Sequence, residues 1–503
     1  MLTASTEPQI EFLERPTRLY IDGRFVETVD TLPTVNPATG AKLADVPLAT
    51  EREVDLAVTA ARRAFEQWRF ARPTDRARVI WKLADILEEH KDELATIEVL
   101  DNGKPLGEAQ AVDVALTIEL FRYYAGWTTK IAGSVQPNSI PGMLSMVRRE
   151  PVGVVAAITP WNFPLLEVAY KLGPGLAAGC TVVVKPSELA PLSTLRLMEM
   201  VEEAGFPPGV VNVVIGGPEV GEALVRHQGV DKVAFTGQTA TGKHILRSSI
   251  PDLKRVTLEL GGKSPNIIFA DANLEAASAG AFGGIFFNQG EACVAGSRLF
   301  VEEPVADEVV ERLSTRAQSL RLGHGLDPAT EMGPLISDRH RERVLSYVGL
   351  ARDEGADVVV GGAKAEVGDY PDGFFTQPTV IGGVRNDMRV AQEEIFGPVL
   401  SVIPWREVDD LRSLANDIQY GLAAGIWSGD VAKALKLADL IDAGTVWINT
   451  YGMFDVAVPF GGRKHSGYGR ELGDEALEPY LQSKSIWLDL DSSVPQSGQG
   501  ISR

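Results

Sequence analysis

Val54, Ala57, Val58, Ala61, Phe65 and Trp68 recur at intervals of three and four, the spacing that gathers apolar side chains on one face of an amphipathic helix. A similar run predicts a second helix from about Thr74 to Leu100, so the first 130 residues read as largely helical. From Val152 the rhythm changes. Short β-branched runs at Val152–Thr159, Thr181–Lys185, Val210–Ile215, Lys232–Phe235 and Val256–Leu260 alternate with helical patterns. Those helices are predicted at Pro164–Ala178, Pro191–Ala204, Pro218–His227 and Thr241–Ser248. Strands and helices alternating at this spacing imply right-handed βαβ crossovers and a parallel, doubly wound sheet.

A second α/β stretch follows Gly261, with a strand at Asn266–Phe269, a helix near Leu274–Phe287 and further alternation to Asn449. Leu144–Arg149 and Ser485–Asp491 read as strands outside both sheets. Bare edges of that kind are commonly covered by another subunit. The Ser/Gly/Gln-rich tail from Ser492 to Arg503 reads as frayed.

Composition narrows the classes. At 503 residues the chain is too long for one core. With 45% apolar residues it is an ordinary globular chain. A formal charge of −20 argues against nucleic acid or anionic membrane as partner. No stretch reaches the roughly 18 apolar residues of a spanning helix. Met1 to Arg18 carries Glu7, Glu11 and Glu14 and no apolar core of a signal peptide. Two cysteines cannot build a disulfide framework, so a reducing cytoplasm is the expected location. The six histidines show no metal-ligand spacing, and no metal is expected.

The chemistry starts from those cysteines. Cys180 opens an apolar strand and reads as a small buried hydrophobe. Cys293 lies in Phe287-Asn-Gln-Gly-Glu-Ala-Cys-Val-Ala-Gly-Ser-Arg298, among small residues that let backbone crowd its sulfur. A nucleophile on a loop entering a helix fits this setting, and so does a structural thiol. Glu259 ends a β-branched strand before Gly261-Gly262, where ligands of open α/β sheets collect. It is either a desolvated general base or a solvated strand-end acid. Asn162, in Thr159-Pro-Trp-Asn-Phe-Pro164, could aim its amide at an oxyanion or simply form a turn.

Nucleotide signals are mixed. Gly173-Pro-Gly175-Leu-Ala-Ala178 matches a dinucleotide fingerprint but falls inside a helix, so it reads as packing. Phe235-Thr-Gly-Gln-Thr-Ala-Thr-Gly242 follows a strand and opens a helix, which offers N–H groups to a pyrophosphate. Lys185 and Glu188 end the neighbouring strand, where they could hold the ribose hydroxyls of an adenosine or form a solvated turn.

Taken with Leu258-Glu-Leu-Gly-Gly-Lys263, Glu393-Glu-Ile-Phe-Gly-Pro398 and Pro459-Phe-Gly-Gly-Arg-Lys-His-Ser-Gly-Tyr-Gly-Arg470, these blocks make the chain resemble the aldehyde dehydrogenase superfamily over most of its length. The resemblance implies Cys293 as nucleophile, Glu259 as base, Asn162 as oxyanion donor with the Cys293 N–H, and Lys171 near the active site. It implies NAD contacts at Thr159, Trp161, Lys185, Glu188, Gly237, Gln238, Leu260, Glu394 and Phe396. Gln238 departs from the family's usual Ser, which puts the hydroxyl contact to pyrophosphate in question.

The aldehyde tunnel implied is walled by Phe163, Leu166, Glu167, Tyr170, Ala292, Val294, Phe454 and Phe460. Such walls suit a medium-sized apolar aldehyde, with broad specificity for aliphatic and aromatic ones. Glu167 either turns to solvent or, with Tyr170 and Phe454, welcomes an amino- or trimethylammonio-aldehyde. A CoA-acylating member typically lacks the glutamate found here at 259, and a non-catalytic one would lack Cys293.

The implied α/β fold has a Rossmann-like NAD-binding domain (1–130 and 150–260), an α/β catalytic domain (261–475) and small β oligomerisation strands (131–149 and 476–491). The implied partners are a small aldehyde and further copies of the chain, as a homodimer or homotetramer.

Overall fold

A computed structural model describes residues 10–490; the tail expected to fray at 492–503, the end of the last strand at Asp491 and the first half of the acidic N-terminal stretch lie outside them. Among the described residues no helix is long and apolar enough to cross a membrane.

Five parallel strands form the heart of the first sheet, in the order Val211–Val213, Thr181–Lys185, Val154–Ile158, Lys232–Thr236 and Arg255–Glu259. The chain winds outward from Val154–Ile158, then returns to its other side with Lys232–Thr236. That reversal opens a crevice at the carboxyl ends of the two central strands. The β-branched runs were legible because both faces are covered, so nearly every residue of these strands is buried.

The edges of this sheet are antiparallel. Leu19–Ile21 and Arg24–Val26 form a hairpin on one side, and Gly467–Tyr468 pairs with Arg255–Glu259 on the other. The division expected at residue 260 is therefore not clean, since the chain comes back to the first sheet near its end. A second hairpin, Thr31–Val35 with Lys42–Pro47, also precedes the first helix. These strands correct the largely helical reading of the first 130 residues. Asp22 and Gly23, with φ of 55° and 71°, make the tight turn that Asp-Gly favours in a hairpin.

The first helix, Glu51–Trp68, starts at a capping box of Thr50 with Glu53 and buries the predicted face from Val54 to Trp68. The predicted helix over Thr74–Leu100 is two helices, Pro73–Glu89 and Lys91–Asn102, which meet at a non-helical His90. Helix Pro164–Ala178 is buried on every side. A Cβ on Gly173 would stand 2.6 Å from the Leu120 side chain, so the fingerprint-like glycines serve close packing, as expected.

The second sheet runs Asp357–Val360, Thr379–Gly382, Val399–Trp405, Arg298–Glu302, Pro265–Ile268, Ala423–Trp427 and Thr445–Ile448, parallel except for the first pair. Strand alternation sends Ile267 and Phe300 into one core and Ile268, Leu299 and Val301 into another. A separate antiparallel sheet joins Leu481–Asp489, Met143–Pro151 and Ser134–Gln136. The two strands predicted to lie outside both sheets thus pair with each other. Ser134–Gln136 adds a third strand, within the 131–149 stretch expected to be β.

Candidate active site

A cleft of about 580 Å³ opens at the crevice of the first sheet and extends to the second. Thr159, Trp161, Lys185, Glu188, Gly237, Gln238, Leu260, Glu394 and Phe396 all line it, together with Asn162, Glu167, Glu259 and Cys293. Residues from six separate blocks of sequence therefore converge on one concavity.

Glu259 is the last residue of strand Arg255–Glu259 and is buried. The Gly462 N–H donates to its Oε2 at 3.3 Å, and a Cβ on Gly461 would stand 2.7 Å from its Oε1. Only glycine permits that approach. Burial, and then the charge of Glu471, hold the Glu259 carboxyl well above its ordinary range, against the pull of Lys171 and Arg470.

Lys171 lies on helix Pro164–Ala178 and is fully buried. Its ammonium donates to Thr236 Oγ1 at 2.5 Å and to Glu167 Oε2 at 2.9 Å, and it pairs with Glu471. Burial opposes the charge, but Glu167 and Glu471 outweigh it and raise the Lys171 pKa. Glu471 itself is pushed up to about 7 by burial. Glu167 is 6% exposed, so it does not turn to solvent. Lys171 compensates its charge inside the protein.

Cys293 is half-buried, in the loop between helix Leu274–Phe286 and strand Arg298–Glu302. This corrects the expectation of a loop entering a helix. The helix precedes the thiol, which gains no N-terminal dipole. Left-handed Asn288 and Gln289, with φ of 48° and 56°, turn the chain after the helix. Tyr451 then anchors the loop by donating its hydroxyl to the Val294 carbonyl at 2.7 Å. Burial, then the charges of Glu167, Glu394, Glu259 and Glu471, hold the Cys293 thiol well above its ordinary pKa. The other thiol, Cys180, is buried just before strand Thr181–Lys185 and pushed up to about 11, as a structural hydrophobe should be.

Asn162 follows strand Val154–Ile158 and donates its side-chain amide to the Glu291 carbonyl at 2.9 Å. That carbonyl lies two residues before Cys293, so one hydrogen bond ties the amide to the thiol's loop.

The rest of the cleft has the shape and chemistry of a dinucleotide site. The buried Thr159 Oγ1 has no partner within the protein. Lys185 Nζ stands 3.5 Å from Glu188 Oε2 at the mouth of the neighbouring strand. Gln238 caps helix Thr239–Ser249 without a side-chain hydrogen bond to it, leaving the helix N–H groups open to an anion. At the other end, Glu394 Oε1 accepts from the Gly262 N–H at 3.0 Å. The rings of Trp161 and Phe396 meet edge to face at 5.4 Å. His340 adds a third ring, 5.3 Å from Trp161, and burial lowers it to about 4, so it is neutral. Sequence reasoning passed over His340 and Glu471. Glu471 follows directly on the glycine-rich block ending at Arg470, which was a usable signal; His340 carried none.

Phe163, Tyr170, Phe454 and Phe460 do not line the 580 Å³ cleft. All four pack in or against the core of the first sheet. Phe454 packs edge to face on Phe460 at 5.3 Å, and Phe163 stacks on Phe287 at 6.1 Å. Phe163, Val294 and Phe454 each touch the core of the first sheet and one core of the second.

The model of the aldehyde dehydrogenase family matches residues 25–486. An aldehyde dehydrogenase from Bacillus cereus, solved as its NAD+ complex, is 49% identical; the match covers 97% of this chain and 99% of that one, at a TM-score of 0.93. Betaine aldehyde dehydrogenase from Staphylococcus aureus, also solved with NAD+, is 42% identical over 97% of this chain and 98% of that one, at a TM-score of 0.95. Phenylacetaldehyde dehydrogenase of Pseudomonas fluorescens is 44% identical over 493 residues, 96% of this chain and 98% of the relative. With the family model matching most of its length and relatives at 42–49% identity covered almost end to end, the chain belongs to the aldehyde dehydrogenase family.

Proposed function

We propose that the chain oxidises aldehydes to carboxylic acids with NAD, using Cys293 as nucleophile, Glu259 as general base and Asn162 as oxyanion donor. The observation that carries this reading is their convergence on the cleft that also gathers all nine residues expected to hold the cofactor.

Lys185 and Glu188 hold the adenosine ribose, and Glu394 and Phe396 the nicotinamide ribose and ring. Thr159, Trp161, Gly237, Gln238 and Leu260 wall the path between. The Cys293 thiolate bonds to the aldehyde carbon, and the carbonyl π pair moves onto oxygen. Asn162 and the Cys293 N–H donate to that oxyanion. Bound NAD+ accepts the hydride when the oxyanion collapses, which leaves a thioester on Cys293. Glu259 then takes a proton from water, the hydroxide adds to the thioester carbon, and the C–S bond breaks to release the acid. Lys171, held by Glu167 and Glu471, keeps a positive charge near Glu259 and eases its ionisation.

The substrate is a medium-sized apolar aldehyde, received by Phe163, Tyr170, Phe454 and Phe460. Glu167 is occupied by Lys171, which removes the free carboxylate that an amino- or trimethylammonio-aldehyde would need. The functional unit is an oligomer. Trp487 and Leu488, on the outer strand of the three-stranded sheet, are 54% and 49% exposed, and Thr445–Ile448 is an edge of the second sheet. A second copy covering these edges would relieve both. The cysteines are free, in keeping with a cytoplasmic location.

NADH formation from a panel of aldehydes, with and without CoA, tests the reaction. Acid is the expected product, and added CoA is expected to change nothing. Cys293→Ala is expected to abolish oxidation while NAD+ still binds, with Cys180→Ala within a few-fold of wild type. An acyl-CoA product, or a dead Cys180→Ala enzyme beside an active Cys293→Ala, overturns the reading.

A further inference from the structure

The turn from Trp161 to Leu165 is held from beneath by one stretch of the N-terminal helical region. Asn102 Nδ2 donates to the Trp161 carbonyl at 3.0 Å. Lys104 Nζ donates to the Asn162 carbonyl at 2.9 Å, and Glu98 Oε1 accepts from the Leu165 N–H at 3.2 Å. The Lys104 ammonium also stands 4.3 Å from the centre of the Phe163 ring.

Lys104 is fully buried and does not line the cleft. Its charge is matched by Asp113 Oδ1 at 2.6 Å, an equally buried carboxylate. Burial raises both Glu98 and Asp113, and the charge of Lys104 opposes that rise. A sealed cluster of this kind is a poor way to gain stability, because an apolar set of the same volume does as well. Its geometry bears on Asn162 instead. Asn288 Nδ2 reaches the same Asn162 carbonyl at 3.0 Å and the Glu291 carbonyl at 3.1 Å. The backbone of Asn162 is thus fixed by two donors while its amide spends one N–H on Glu291.

We propose that Lys104 is a positioning residue for aldehyde oxidation: it locks the Asn162 backbone so that the second amide N–H faces the developing oxyanion, and it braces the Phe163 ring beside it. The proposal rests on reading Asn162 as the oxyanion donor. Lys104 acts through Asn162 and touches no reacting atom.

Burst kinetics of Lys104→Met, alone and combined with Asn162→Ala, test this. Asn162→Ala alone checks the underlying reading, with a burst rate expected to fall at least about tenfold; an unchanged rate there removes the oxyanion assignment itself. Given that fall, Lys104→Met is expected to slow the burst at least about tenfold at an unaltered NAD+ Kd, yet to slow the Asn162→Ala enzyme less than about twofold. Lys104→Arg is expected to recover part of the rate. Equal losses in both backgrounds, or a loss confined to NAD+ affinity, overturn the proposal. Asn288→Gly removes the second donor to the same carbonyl, leaves no buried charge and keeps the left-handed backbone unstrained. It carries the same two expectations, so the test stands even if Lys104→Met does not fold.

Discussion

Lys171 Nζ lies 2.9 Å from Glu167 Oε2, one turn away on the same buried helix. This carboxylate, which lines the cleft, is therefore already balanced before any substrate arrives. A free carboxylate and aromatic rings would invite a cation; a compensated carboxylate and aromatic rings invite an apolar group.

Betaine aldehyde and its neutral isostere 3,3-dimethylbutanal separate these outcomes. The neutral aldehyde is expected to have the higher kcat/KM, by about tenfold, which corresponds to about 1.4 kcal/mol of transition-state binding. A preference for betaine aldehyde that Glu167→Gln abolishes would show that Glu167 leaves Lys171 to meet the substrate.

Glu167 is also the foremost of the charges that raise the Cys293 thiol, after burial itself. The thiolate is the reactive form, so kcat/KM is expected to climb with pH on the alkaline side. In Glu167→Gln a negative charge is lost, the thiol ionises more readily, and the climb moves to lower pH. A pH profile of kcat/KM for both enzymes checks the sign; an unmoved or upward-moved limb contradicts it.

Glu259→Gln is expected to stall after one turnover. Acylation needs no water activation, so a burst near one NADH per active site should appear. Steady-state turnover should then fall by about a hundredfold or more, with acyl-enzyme visible by mass spectrometry. Normal steady-state turnover would place the base elsewhere.

Glu188, 3.5 Å from Lys185 at the mouth of its strand, is expected to repel a 2′-phosphate. Like-charge juxtaposition costs several kcal/mol at most, so kcat/KM for NAD+ should exceed that for NADP+ by about tenfold or more without excluding it. Glu188→Gln should narrow the gap. An NADP+ preference in the wild type counts against the assignment.

What was legible in the sequence depended on how far each signal reaches. The β-branched runs announced the first sheet because strands buried on both faces must be apolar throughout. The hairpins before Glu51 have strands of three to six residues, too short for a period to emerge, and only Asp22-Gly23 betrayed one of them. Residues at strand ends, such as Lys185 and Glu259, could be placed because the sheet dictates where strand ends gather. The partners of Lys171 could not. Glu471 lies 300 positions along the chain from it, and no local pattern connects two side chains that meet only through the return of the chain to the first sheet. Lys104 was invisible for the same reason. The setting of Cys293 was misjudged at its far side: the helix end near Phe287 was legible, but strand Arg298–Glu302 and not a helix follows the loop.

The late return of Gly467–Tyr468 to the first sheet has a consequence for how the molecule is made. Strand Arg255–Glu259 has its parallel neighbour as soon as it leaves the ribosome, but its other edge stays bare until residues 467 and 468 emerge. At the usual pace of synthesis, roughly 200 intervening residues take about 10–40 s. Throughout that interval the strand that ends in Glu259 presents open N–H and C=O groups to any passing chain. The nascent protein is thus open to misassembly at the strand that ends in the proposed general base, and holding that edge apart is the service a chaperone would render it.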